Sequence, residues 1–254
     1  MIETGYLQVL AAAALALLAF VLAKIKSIPV EKEIAYGSVR AFVQLIAVGY
    51  ALEFIFKLDS IWLISLAVAI MIVVASYTAS QRLPKSKRPF MASLIAITAG
   101  SVITLVLMLL LDIIKVEARY IIPLSGMIIS NSMNGGAVAF DRIGSDLKSN
   151  RLAVETSLAL GKNWREASRK FYRTAIRAGM ISILNFLKTV GIVALPGAMT
   201  GMILAGASPL EAVQLQIIVM YMLVGAGAFS GLTATFLTYR QFFSRAHQLI
   251  LPAQ

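Results

Sequence analysis

The chain has 254 residues and a net charge of +11; 59% of it is hydrophobic and only 14% is Asp, Glu, Lys or Arg, against roughly a quarter charged in an ordinary soluble domain. With a mean hydropathy of +0.84, this excludes disorder, a coiled coil and a free-standing soluble enzyme, and the basic residues punctuate apolar runs instead of forming a nucleic-acid-binding face. There is no cysteine and only one histidine, His247, which excludes disulfides, thiolate metal sites, a Cys nucleophile and the usual zinc sites.

A helix needs about 20 apolar residues to cross a bilayer. Seven stretches qualify: Leu7–Ala23, Val39–Phe56, Ile61–Ala79, Pro89–Leu111, Tyr120–Phe140, Gly179–Ala205 and Ala212–Tyr239. Short loops and one long segment, Asp141–Ala178, account for the rest. The expected architecture is all-α: one polytopic transmembrane domain over residues 1–254 with about seven spans. No basic region precedes Leu7, and Glu3 is acidic, so the first run is expected to be a retained helix and not a signal peptide.

Loop charge sets the orientation. With seven spans, the loops holding Lys24, Lys26, Lys32 and Arg40, then Arg82, Lys85, Lys87 and Arg88, then nine cations from Arg142 to Arg177, share one side with Arg240 and Arg245. The other side has Lys57, Lys115 and Arg119. Lys and Arg concentrate on the cytoplasmic side, so the N-terminus is expected outside and the C-terminus inside. Lipid headgroups are one partner of that basic surface.

The long segment 141–178 carries Trp164, Ala167, Phe171 and Ala175 at helical spacing, with Arg165, Arg169, Arg173 and Arg177 every four residues on a neighbouring face. This predicts an amphipathic helix, capped by Asn163. Such a helix suits anionic headgroups. The residues before it offer a second reading. Glu155-Thr-Ser-Leu-Ala-Leu-Gly161, followed by Trp164-Arg-Glu-Ala167 and Phe171, resembles the coupling loop of ATP-binding-cassette permeases, with Thr156 and Ser157 in place of two alanines and Thr174 where a proline is usual. That resemblance assigns Glu155, Gly161, Trp164, Arg165, Arg169 and Phe171 to coupling with an ATPase. Gly161-Lys162 is no P-loop, because Thr156 stands five positions earlier and Asn163 follows; the ATPase, with its ATP and Mg, must be another subunit, and no cofactor is expected in this chain.

Polar residues inside spans usually face a bundle interior or a pathway. In the fifth span Met127, Asn131 and Asn134 fall on one face, as interhelical glue or as a substrate-lining surface, and Gly126 with Ser130 and Ser132 with Gly136 are small pairs four apart. Lys188 lies deep in the sixth run with Asn185 one turn away, either near mid-bilayer or snorkelling to an interface. Pro196 is expected to kink or break that helix, and Gly197 with Gly201, like Gly227 with Gly231, forms a GxxxG pair. Arg40 and Gln44 sit one turn apart in the second span.

Arg40-Ala-Phe-Val-Gln44-Leu45, Gly126-Met127-Ile128 with Asn131 and Met133, Lys188-Thr-Val-Gly191 and Leu195-Pro196-Gly197, together with Gly201, Pro209, Gln216 and Thr238-Tyr239-Arg240, resemble the iron-export ABC permeases and their plant relatives in aluminium tolerance. The resemblance runs over residues 31–249. It implies a permease without its own ATPase site, working as a homodimer with a cytosolic ATPase subunit in the prokaryotic inner membrane, and exporting iron or a related metal. In such a homodimer, Arg40, Gln44, Met127, Asn131, Asn134, Lys188 and Pro196, the polar, thioether-bearing or helix-breaking residues of the spans, are expected along the substrate pathway, and the metal ligands stay undefined. A seven-helix receptor or photoreceptor with Lys188 as the attachment site is the alternative; an intramembrane hydrolase finds no GxSxG, HExxH or paired Asp.

Overall fold

The computed structural model describes residues 6–81, 88–244, 246 and 248–250. Arg82, Lys85, Lys87, Arg245 and His247 lie outside the described residues. The backbone is helical almost throughout: α1 Tyr6–Ile25, α2 Glu31–Leu58, α3 Ile61–Ser80, α4 Pro89–Leu110, α5 Ala118–Ser149, α6 Arg151–Ala159, α7 Trp164–Thr189, α8 Gly197–Leu204 and α9 Pro209–Gln241. Of these, α2, α3, α4 and α9 are long and apolar enough to cross a membrane, which makes this a multi-pass membrane protein. Two compact units divide the chain after Ser60.

In the first unit α1 packs along α2. Their tight turn is closed by the Ile28 amide donating to the Ala23 carbonyl at 2.9 Å. Near the far end of α2, Lys57 donates to Glu53 at 2.8 Å, an exposed pair one turn apart that contributes little stability.

The second unit is a bundle of α3, α4, α5, α7 and α9. Its core is built from small residues and hydroxyls as much as from large aliphatics, because helices in lipid associate by close approach and not by hydrophobic burial. Gly100 of α4 lies where a Cβ would come within 2.7 Å of the Ser230 Cβ and 2.9 Å of the Ser132 Oγ, so α4, α5 and α9 meet at that level. Gly135 of α5 and Gly179 of α7 cross in contact: a Cβ on Gly179 would stand 2.5 Å from the Gly135 carbonyl oxygen. Phe140, Ile143 and Leu147 then carry the buried face of α5 toward its C-terminal end.

Two expectations need correction. The sixth apolar run, Gly179–Ala205, expected to be kinked or broken at Pro196, is broken, but ahead of that proline. α7 ends at Thr189 because Val190 turns extended, at φ −61 and ψ 135, and Gly191 follows at φ +83, the second central position of a type II turn, which glycine fills without steric cost. Thr189 O then accepts from the amides of Ile192 at 3.2 Å and Val193 at 2.9 Å. Pro196 sits outside any helix, extended at φ −64 and ψ 149, as the N-cap of the short α8, so it kinks nothing. The run looked continuous because Ile192, Val193 and Leu195 are apolar, yet all three are exposed. The second correction concerns the amphipathic helix between spans five and six. It is no separate element, since α7 continues unbroken from Trp164 through Gly179 to Thr189.

The glycine crossing generates a test. Gly179→Ala forces α5 and α7 apart and is expected to cost about 1–3 kcal/mol, read as a lowered Tm in detergent. Gly201→Ala, where nothing lies within 4 Å of the added carbon, is expected to leave Tm unchanged.

Candidate functional site

The basic end of the bundle is built by the last turns of α5, by α6, by the start of α7 and by the end of α9. α6 is nine residues long and is held by Val154, buried, and Leu158, which pack with Ile143, Leu147 and Ala175. Its C-terminus closes as a Schellman turn. Gly161, at φ +84, donates to the Leu158 carbonyl at 3.0 Å while Lys162 donates to Ser157 at 3.1 Å, the pairing that a left-handed C′ residue permits. α7 then starts in a capping box: the Glu166 amide donates to Asn163 Oδ1 at 2.9 Å and the Asn163 amide to Glu166 Oε2 at 3.4 Å, as the sequence predicts for Asn163.

This helix–Gly–helix knob divides its residues into two sets. Trp164 and Phe171 face inward. Trp164 lies 4.8 Å from the Tyr239 ring and 5.8 Å from Phe243 between centroids, with Tyr172 5.2 Å from Tyr239, distances at which aromatic pairs add to the energy of burial. Glu155 is engaged by Arg151 at 2.8 Å. Outward, the knob shows Leu152 and Leu160, each 78% exposed. Sequence reasoning missed both leucines, because Ala153, Val154, Leu158 and Ala159 beside them are apolar too and only the packing of Val154 and Leu158 tells the two sets apart.

Arg165, Arg169 and Arg173 are exposed, and with Tyr172 and Tyr239 they line an open cleft of about 500 Å³. Arg165 lies 5.3 Å over the Trp164 ring, a cation–π contact. Among the described residues none of these three arginines has an ion-pair partner, whereas Arg142 and Arg151 are paired with Asp146 and Glu155.

The pathway residues are dispersed. Asn131 Nδ2 donates across to the Leu223 carbonyl of α9 at 2.8 Å, and a Cβ on Gly227 would come within 3.2 Å of that same nitrogen; here the amide acts as interhelical glue. Met127 packs against the cluster around Leu105, Ile128 and Val219. Asn134, by contrast, is exposed, as are Ser130 on α5 and Ser182, Asn185 and Lys188 on α7. Lys188 falls in the last turn of α7, where its charge complements the helix dipole. Arg40 and Gln44 are exposed on α2 in the first unit, and Pro196 lies in the loop before α8. Of the small pairs, Gly126 meets Met71 and Gly136 meets Ala234, whereas nothing in the structure lies within 4 Å of Cβ positions at Gly197, Gly201 or Gly231. Among the described residues no three His, Cys, Asp or Glu are grouped to hold a metal ion.

The profile of the Uncharacterised protein family (UPF0014) matches residues 6–243. The chain belongs to that family. Within it, the chain is 41% identical to Protein ALUMINUM SENSITIVE 3 of Arabidopsis thaliana over 96% of its own length and 90% of the relative's. It is 40% identical to UPF0014 membrane protein STAR2 of Oryza sativa subsp. japonica, over 96% and 86%. It is 35% identical to Probable iron export permease protein FetB of Escherichia coli (strain K12), over 93% and 92%. No solved structure matches the chain. The family relationship accords with the resemblance drawn from the motifs around Arg40, Gly126, Lys188 and Pro196.

In this UPF0014 member the aromatic cluster ties the start of α7 to the end of α9. Trp164→Ala is expected to cost about 3 kcal/mol and to expose the knob, so that limited proteolysis cuts between residues 150 and 163 in the variant but not in the parent protein.

Proposed function

We propose that the chain is the membrane subunit of an ATP-binding-cassette transporter that exports iron or a related metal, working as a homodimer with a separate cytosolic ATPase. It crosses the bilayer seven times with its N-terminus outside, the orientation that the distribution of Lys and Arg favours. The α6 knob then faces the cytoplasm. α4 supports the depth scale: 22 residues between Arg88 and Leu111 make about 33 Å of helix, matching a hydrocarbon core of about 30 Å. Gly100 marks its middle, and Ser132 of α5 lies beside it. From Ser132 to the end of α5 at Ser149 is about 25 Å of helix rise, beyond the headgroup layer.

One observation carries the reading. Leu152 and Leu160 stand exposed at 78% each on a rigid, Gly161-terminated helix at a depth where no lipid tail covers them. Exposed apolar side chains flanked by charge mark a protein-binding surface. Glu155 with its Arg151 partner and Gly161 belong to this surface, with Trp164 and Phe171 bracing it from below and Arg165 and Arg169 at its edge. The exposed polar stripe of Ser130, Asn134, Ser182, Asn185 and Lys188 supports a wetted surface between two copies, because polar groups facing lipid are costly. The name of the Escherichia coli relative, a probable iron export permease, supports the direction and the cargo. For the attachment-lysine alternative no observation speaks: Lys188 is exposed at a helix end, where a covalently held chromophore needs enclosure.

Leu160→Asp tests the docking role. Co-expressed with the ATPase subunit, this variant is expected to bind it about thirtyfold more weakly, the effect of losing one interface hot spot, with its Tm unchanged; co-purification at the parental level overturns the docking assignment. In liposomes containing both subunits, Fe(II) is expected to stimulate ATP hydrolysis. Stimulation no greater than by Ca(II) or Mg(II) rejects iron as the cargo.

A further inference from the structure

Three exposed guanidinium groups four apart on one helix without carboxylate partners repel one another mildly, and an anion between them relieves that repulsion. Arg165, Arg169 and Arg173 repeat every four residues on α7 and border one cleft with Tyr172 and with Tyr239 of α9. The one carboxylate among the lining residues, Glu166, already closes the cap on the Asn163 amide. The cleft therefore offers three cations against one carboxylate, together with the Tyr172 hydroxyl, to a ligand that is small, anionic and rich in acceptor oxygens. A phosphate group has that chemistry, and guanidinium forks bind it bidentately.

The depth of the cleft selects the source. Gly179 crosses Gly135 of α5, three residues beyond Ser132 at the level of Gly100, so α7 can be placed on the depth scale of α4. By helix rise, Arg173 lies about 13 Å from the bilayer centre, Arg169 about 19 Å and Arg165 about 25 Å. The hydrocarbon edge is at about 15 Å and the headgroup layer ends near 22 Å. Arg169 thus lies inside the headgroup layer, with Arg173 on its hydrocarbon side and Arg165 on its water side, both within reach of it by their long side chains.

We propose that this cleft is a binding site for the phosphate of an anionic phospholipid headgroup, which bridges α7 to the Tyr239 end of α9. The site rests on the membrane placement given above but not on docking of the ATPase, and the permease subunit alone is enough to test it. Trp164 reports on the cleft through Arg165, which lies over its ring at 5.3 Å. The chain has two tryptophans, so Trp62→Phe makes Trp164 the sole emitter.

In neutral detergent, short-chain phosphatidylglycerol is titrated into the Trp62→Phe protein, with bound lipid counted by native mass spectrometry and Trp164 emission read in parallel. Saturable retention of phosphatidylglycerol and none of phosphatidylcholine is expected. Arg169→Gln with Arg173→Gln is expected to weaken retention about thirtyfold, the loss of two cations near a charged interface. Lys148→Gln with Lys162→Gln removes the same charge from exposed positions outside the cleft and is expected to leave it unchanged. Equal retention of phosphatidylcholine, or equal weakening by the two double variants, overturns the site. Displacement of the lipid by inorganic phosphate at matched concentration assigns the cleft to a soluble phosphate and overturns the lipid reading. Failure of the Leu160→Asp experiment leaves these results unaffected, and the reverse also holds.

Discussion

The close crossing of α5 and α7 at Gly135 and Gly179 is the contact on which the arrangement of the bundle's working end depends. In a bilayer, lipid tails compete on equal terms with apolar side chains, so helices gain by approaching closely enough for backbone contact. With no Cβ on either residue, the two backbones touch. The segment of α7 before Gly179 then follows α5 out of the bundle and lays Trp164 against Tyr239 of α9. One methyl group at the crossing widens the gap along the whole length of that segment.

α7 also joins the knob to the polar stripe, the two features on which the proposed function rests. It begins at the knob, where Trp164 and Phe171 pack inward, and ends one residue past Lys188, 26 residues in all. No proline or left-handed residue interrupts it. One uninterrupted helix therefore links the knob beside α6 to Asn185 and Lys188. The turns that bracket α8 lie beyond, at Gly191 and Gly206, which both hold positive φ.

Much of the fold was legible because its causes are local. Ile61–Ala79 and Pro89–Leu111 match α3 and α4 to within a residue, since an apolar run flanked by charge in lipid has one low-energy conformation, the helix that satisfies its own backbone. Asn163 and Glu166 form the capping box, and the inward aromatic face of α7 is the one its periodicity marked. At the site the sequence was less informative. Met127, Asn131 and Asn134 share a face by spacing, yet Asn131 is engaged by the Leu223 carbonyl and Asn134 is exposed, because a helical-wheel argument carries no knowledge of which neighbour covers which part of the wheel.

Composition and charge alone determined that the chain lives in a membrane, that it is helical, and that its cations gather at one set of loops. Tertiary structure decided where α7 stops, that the paired glycines are Gly135 and Gly179 and not Gly197 and Gly201, and that Leu152 and Leu160 are left uncovered while Trp164 is not. The reason is one of range. Hydropathy and periodicity are sums over neighbours in sequence. A backbone turning at a single left-handed glycine, or two glycines 44 positions apart meeting face to face, is settled by one dihedral angle or by a partner that no local sum contains.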